Sequence, residues 1–106
     1  MSVEFVYITA GDADEAGRIA RAIVDERLAA CANVIDGVRS IYWWEGAVRD
    51  DAEAALIAKT RRQLVPALID RVVELHSYDC PCIVALPVES GHLPFLRWVE
   101  DETGSS

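Results

Sequence analysis

The chain has 106 residues, 52% of them hydrophobic, and a formal net charge of −8 from 18 acidic and 10 basic residues. This size predicts one globular domain over residues 1–106, and the acidic balance argues against nucleic-acid binding, which needs clustered Lys and Arg. No segment reaches the roughly 20 apolar residues of a membrane span. The first residues lack a basic region and a cleavage site, so we expect no signal peptide. Three cysteines without disulfide-framework spacing favour a reducing, cytoplasmic setting.

The first third of the chain predicts a strand followed by a helix. Residues 3–9 are apolar and β-branched or aromatic, which is typical of a strand. Asp12 or Asp14 can then cap a helix, because apolar residues recur with helical spacing over residues 16–28. This spacing places Glu15 on the water-facing side of the helix.

Two further strands are predicted in the middle of the chain. Residues 31–44 are typical of a strand, in which Asp36-Gly37 forms either a hairpin turn or a bulge within one long strand. The Glu-Gly pair at 45–46 is the better turn, and residues 47–60 form the next strand, with a weak first half.

The last third predicts a helix, a strand and a final helix. The helix begins near Gln63, since Pro66 must lie in its first turn, and its apolar residues recur up to Leu75. A short apolar strand follows at 82–88, and a final helix at 94–102.

The predicted order β-α-β-β-α-β plus a C-terminal helix indicates an α+β, ferredoxin-like sandwich with helices on one face of an antiparallel sheet. The strands carry apolar residues on both faces: Val3, Phe5 and Tyr7 point one way while Val6 and Ile8 point the other. Few helices are available to cover two apolar faces, so the pattern predicts an oligomer. The adjacent Trp43 and Trp44 point to opposite faces, one packed inside and the other at a subunit boundary.

The segment "HSYDCPCIVALP" (76–87) brings His76, Cys80 and Cys82 within seven positions. In an extended chain the two cysteine side chains lie roughly 6–7 Å apart, so a disulfide between them would be strained. A metal site of all three residues would suit copper, as Cu(I), or zinc. The plain alternative is that Cys82 is buried core and Cys80 an incidental loop thiol.

Four stretches in order carry a resemblance to a known family: "RLAACANVIDGVRSIYWWEG", "EAALIAKT", "ELHSYDCPCIVALPV" and "FLRWVED". Together they resemble the divalent-cation tolerance protein family, usually called CutA, over nearly the whole chain. The resemblance implies a ferredoxin-like homotrimer similar in fold to PII signalling proteins. It also implies a role in tolerance to copper and other divalent metals, with no catalytic reaction.

The chain departs from this family at the proposed metal ligands. Some bacterial members have a cysteine where this chain has Ile8, which cannot ligate, and of their histidines only His76 remains. Cys80 and Cys82 stand where members have a small apolar residue and a glutamate, which exchanges a hard oxygen for a soft sulfur.

The leading hypothesis is a non-enzymatic, PII-like trimer that binds metal or a small effector, with its site near His76, Cys80 and Cys82. The alternative is a structural trimer that anchors a partner protein without metal. An anionic effector held by Lys59, Arg61 and Arg62 is a weaker possibility, since the chain has no Gly-rich phosphate loop.

Overall fold

The computed structural model describes residues 2–104, so residues 1, 105 and 106 of the predicted domain lie outside the described residues. The elements follow the predicted order, in chain sequence: β1 (Val3–Ala10), α1 (Ala13–Asp25), β2 (Cys31–Trp44), β3 (Ala47–Arg61), a 3-10 turn (Arg62–Leu64), α2 (Val65–Leu75), β4 (Ile83–Pro87) and α3 (Leu93–Asp101). None of the helices in this part of the chain is long and apolar enough to cross a membrane.

The four strands form one antiparallel sheet in the order β2-β3-β1-β4. The central strand β1 pairs with both β3 and β4, while β2 and β3 form a long hairpin whose turn is Glu45-Gly46. Both turn residues have positive φ, 49° and 79°, the left-handed region that glycine adopts without strain. The α+β, ferredoxin-like fold predicted from the sequence is confirmed.

The hydrophobic core lies between the sheet and the helices α1 and α2. One face of β1 and β3 contributes small and branched residues such as Val6, Ile8 and Leu56, which are fully buried. The helices contribute Ile19 and Ile23 from α1 and residues of α2 such as Leu68 and Val72. Helical spacing of the apolar residues therefore gives each helix one face that fits the sheet.

The other sheet face, here called the open face, remains apolar and exposed, as its alternation predicted. Its members include Phe5 of β1 and the β4 residues Val84 and Leu86, and Leu86 is 58% exposed. The β2–β3 hairpin extends past the helices, which gives the molecule dimensions of 44 × 26 × 21 Å. An exposed apolar face of this kind is unusual for a monomer.

A bulge interrupts the pairing of β2 with β3 between Ile35 and Val38. Gly37 has φ 74°, and its N–H donates to the Asp36 carboxylate at 2.8 Å. Of the two alternatives for Asp36-Gly37, the structure thus shows a bulge in one continuous strand. Because the bulge adds one residue, even-numbered residues beyond it share the face that Ile35 occupies before it.

Glu15 is buried, with 7% of its surface exposed, so the prediction that it faces water is wrong. Asp12 caps α1 by accepting from the Glu15 N–H at 2.8 Å. The Glu15 carboxylate then accepts from the Gly11 N–H at 3.0 Å and from the Ser77 N–H at 2.8 Å. It therefore joins the turn before α1 to the loop after α2, and the donors compensate its burial.

The C-terminal helix α3 lies against β1 and β3. Its Val99 is fully buried, and the Thr103 hydroxyl beyond it donates to the Val99 carbonyl at 2.8 Å and accepts from Arg61 Nε at 3.2 Å. The Gly104 N–H donates to the Arg27 carbonyl at 3.0 Å. These contacts fix the end of the described chain to the strand end and to the loop after α1.

Thr60 supplies a stability test, because its buried hydroxyl has no hydrogen-bond partner within residues 2–104. Thr60→Val keeps the shape and removes this unsatisfied group, so we expect an unchanged or higher melting temperature, worth up to about 1 kcal/mol. Thr103→Val is the matched control, since its hydroxyl is hydrogen-bonded, and it should destabilise by about 1–3 kcal/mol. Equal losses in both variants would contradict this reading of Thr60.

Glu15 supplies a pH test. Burial raises the pKa of Glu15, but the hydrogen bonds from Ser77 and Gly11 lower it, and the net shift is downward from 4.5. A lowered folded-state pKa gives stability that is present at neutral pH and is lost as the pH falls through that pKa. Glu15→Gln should therefore cost about 1–3 kcal/mol at pH 7, and the difference from the wild type should narrow below pH 4.5.

Chemical denaturation at several pH values measures this difference. Glu89→Gln, which removes an exposed loop carboxylate, is the matched control and should stay close to the wild type throughout. A Glu15→Gln deficit that is constant from pH 7 to pH 3 would show that the carboxylate charge does not contribute.

Candidate functional site

An open groove of about 930 Å³ lies between the β2–β3 hairpin and the loop that joins α2 to β4. The hairpin wall is formed by side chains of β2 and β3 beyond the bulge, and the loop wall by residues from Ser77 to Cys82. Thr9, near the end of β1, also lines the groove. The groove thus lies at one end of the open face.

Two tyrosine–carboxylate pairs define the polar part of the groove. The Tyr42 hydroxyl donates to Asp51 Oδ2 at 2.5 Å within the hairpin. The Tyr78 hydroxyl, from the loop, donates to Glu53 Oε2 at 2.7 Å and so connects the two walls. Asp79 adds a third carboxylate to the lining.

Both tyrosines remain protonated at neutral pH. The hydrogen bond to Asp51 raises the pKa of Tyr42, and burial adds to the shift. Burial is the main cause that raises the pKa of Tyr78, followed by the hydrogen bond to Glu53 and the negative charges of Glu53 and Glu15. The phenols therefore act as hydrogen-bond donors and not as anionic ligands.

The ring of His76 positions the loop wall. Its side chain is fully buried, and its Nε2 lies 2.7 Å from the Thr9 carbonyl, which can only accept. The Tyr78 N–H donates to Nδ1 at 3.1 Å, so this nitrogen must carry the lone pair. The hydrogen bonds assign the Nε2–H tautomer and link the loop to β1.

The predicted metal ligands are not brought together within one chain. Among residues 2–104, no group of three or more His, Cys, Asp or Glu side chains is arranged to hold a metal ion. Binding through His76 would require the loss of one of its two hydrogen bonds. A site formed by His76, Cys80 and Cys82 together stays a prediction about the assembled protein.

Cys80 and Cys82 are exposed free thiols on the loop wall. The alternative that Cys82 is buried core is wrong, because Cys82 is exposed, in the loop that ends where β4 begins at Ile83. The carbonyl of Cys82 accepts from the Thr9 N–H at 3.3 Å, which keeps its backbone beside β1 while its side chain faces the groove. Two thiols thus stand on a wall of the groove.

The two tryptophans of the hairpin lie on opposite faces of the sheet, as predicted. Trp44 lines the groove, whereas Trp43 is 74% exposed on the other face, beyond the helices. Neither packs inside the chain, so the prediction of one internal tryptophan is wrong. The reason is that the hairpin extends further than the helices that cover the sheet.

The basic residues Lys59, Arg61 and Arg62 do not form one cluster. Lys59 bonds to Asn33, Arg61 bonds to Thr103, and Arg62 approaches Glu4 at 3.8 Å. Each of these three cations has its own partner. The described residues therefore do not support the weaker hypothesis that the three hold an anionic effector together.

Sequence reasoning missed the tyrosine–carboxylate pairs and the internal role of Glu15. The acidic run at 50–53 is typical of a solvated strand face, and nothing in it identifies Tyr78 as a partner. A signal for Glu15 was present, because an acid three residues after a capping Asp12 occupies the capping-box position.

Comparisons with known proteins agree with this architecture. The family model described as CutA1 divalent ion tolerance protein matches residues 4–102. Protein CutA 1, chloroplastic, from Oryza sativa subsp. japonica is 45% identical over 101 residues, which is 95% of this chain and 57% of that protein. The divalent-cation tolerance protein CutA of Thermus thermophilus is 46% identical over 101 residues, 95% of this chain and 98% of that protein.

The chain spans less than two thirds of the length of the rice, human and mouse relatives that it matches. The crystal structure of CutA1 from Oryza sativa superposes with a TM-score of 0.96 at 42% identity, covering 100% of this chain and 97% of that chain. Sequence, fold and chain coverage therefore agree, and the chain belongs to the CutA1 divalent ion tolerance protein family.

Proposed function

We propose that this chain acts as a homotrimeric, non-enzymatic metal-tolerance protein of the cytoplasm, which binds a soft metal ion or a small effector at the groove. The observation that carries the proposal is the position of Cys80 and Cys82 on the groove wall, in a chain of the divalent ion tolerance family. The three free thiols of the chain suit a reducing compartment.

The exposed apolar surface supports assembly. Phe5, Val84 and Leu86 stand together on the open face, across the paired strands β1 and β4. Burying this face between copies of the chain would remove apolar surface from water, which is the main favourable term in association. The groove lies at one end of the same face, so a neighbouring subunit would stand close to it. A trimer and a likeness to PII proteins stay predictions from the family resemblance.

The donor chemistry supports a soft ion. Thiolates select Cu(I) and Zn(II) over harder ions. We propose that Cys80 and Cys82 are the protein ligands and that His76 positions their loop, because both of its ring nitrogens are hydrogen-bonded. Two thiols do not complete a closed four-ligand zinc site within one chain, so copper as Cu(I) fits the chain better.

The alternative function is a structural trimer that anchors a partner protein without metal. The observation that favours it is the hairpin tip, where Trp43 and Ile41 are 74% and 64% exposed on the face opposite the groove. Exposed aromatic residues of this kind are enriched in protein–protein interfaces.

Assembly is tested by sedimentation equilibrium, which should give three chains per particle. Leu86→Asp places a charge on the open face and should weaken assembly by at least about tenfold, because a buried unpaired carboxylate is costly. Val73→Asp is the matched control, since Val73 is 51% exposed on α2, away from this face. A wild-type monomer, or equal assembly of both variants, would contradict the trimer.

Metal binding is tested by titrating the reduced protein with Cu(I), Cu(II) and Zn(II). Cys80→Ser combined with Cys82→Ser should abolish most soft-metal binding and leave the trimer folded, since both thiols are exposed. Cys31→Ser removes the remaining thiol outside the groove and should bind as the wild type does. An unchanged Cu(I) affinity in the double variant, with the trimer intact, would favour the anchoring function instead.

A further inference from the structure

The groove is lined by negative charge without a compensating cation. Asp51, Glu53 and Asp79 contribute carboxylates, and among the described residues that line it none is Lys, Arg or His. Arg49 lies opposite Tyr42 in the strand pairing but is outside the lining. A concave site with one sign of charge concentrates ligands of the opposite sign.

Three aromatic rings stand beside these carboxylates. Tyr42, Trp44 and Tyr78 all line the groove and are 39%, 44% and 38% exposed, so each ring has surface available to a ligand. Aromatic faces attract cations through their quadrupole, and Trp and Tyr do so more strongly than Phe. Charge and aromatic surface therefore favour the same class of ligand.

The tyrosine hydroxyls occupy only one oxygen of each of two groove carboxylates. Each phenol donates to one oxygen of its carboxylate, Oδ2 of Asp51 or Oε2 of Glu53. The other oxygen of each carboxylate is left to accept from a ligand. Ammonium and guanidinium groups carry only N–H donors, so they match these free carboxylate oxygens.

We propose that the groove binds a small organic cation with an ammonium or guanidinium head, which donates to Asp51 and Glu53 and stacks against Tyr42, Trp44 and Tyr78. This inference deepens the function proposed above and rests on it, since it names the chemical class of the small effector. The apolar part of such a ligand would pack against the ring of Trp44. The site differs from the thiol pair in its donors, so the two can be tested separately.

The test is calorimetric titration of the intact protein with butane-1,4-diamine, with butane-1,4-diol as the uncharged ligand of the same length. The diamine should bind and the diol should not. Glu53→Gln and Asp51→Asn should each weaken diamine binding by roughly tenfold, because each removes a charged hydrogen-bond partner. Two groove variants are used so that a folding defect in one, seen in its melting temperature, does not decide the result.

Asp70→Asn is the matched control, since Asp70 is an exposed carboxylate on α2 outside the groove. It removes the same charge and should leave diamine binding unchanged. Diol binding as strong as diamine binding, no diamine binding, or equal losses in Asp70→Asn and the groove variants would each overturn the proposal.

Cu(I) titration and sedimentation of the same preparations separate this result from the proposed function. The double variant Cys80→Ser with Cys82→Ser should lose Cu(I) and keep the diamine, whereas Glu53→Gln should do the reverse. A trimer that binds Cu(I) but not the diamine would overturn the organic-cation proposal alone. A wild-type protein that binds neither Cu(I) nor the diamine and is not a trimer would overturn the proposed function itself.

Discussion

The groove depends on the buried carboxylate of Glu15. It accepts from Gly11 and Ser77, which belong to two loops far apart in the chain, and it lies 3.7 Å from the ring of His76. That ring in turn receives the Tyr78 N–H, and the Tyr78 hydroxyl reaches Glu53 on the hairpin. The ring also donates from Nε2 to the Thr9 carbonyl, so a short series of hydrogen bonds runs from the end of β1 through His76 and Tyr78 to the hairpin wall of the groove. The bonds of the Glu15 carboxylate and of His76 Nε2 satisfy polar groups whose burial would otherwise be costly.

The open face and the groove share one sheet surface but differ in chemistry. The apolar part lies where β1 pairs with β4, and the acidic and aromatic part lies where β2 pairs with β3 beyond the bulge. The division follows from strand length, because the outer strand β4 has only five residues and β2 has fourteen. The surface available for assembly and the surface available to a ligand are thus adjacent and distinct.

The sequence predicted the elements, their order and the two apolar sheet faces, because these depend on local periodicity. It also singled out Cys80 and Cys82, which the structure places on the groove wall; their role as metal ligands stays a prediction. It could not predict the pairing of Tyr78 with Glu53, which are separated by 25 positions and meet only because a loop returns to the hairpin. Nor could it reveal that both nitrogens of His76 are hydrogen-bonded, since the partners are backbone groups that any residue carries.

The bulge at Asp36-Gly37 determines which alternate side chains of β2 face the groove. If the same residues paired regularly without the bulge, the register beyond Ile35 would shift by one, and every later side chain of β2 would turn to the opposite face of the sheet. Ile41 and Trp43 would then take the positions of Tyr42 and Trp44, and the hydroxyl that meets Asp51 would point away. The same sequence would then present Ile41 and Trp43 to the groove in place of Tyr42 and Trp44, so the bulge, and not only the residue types, determines the chemistry of the groove.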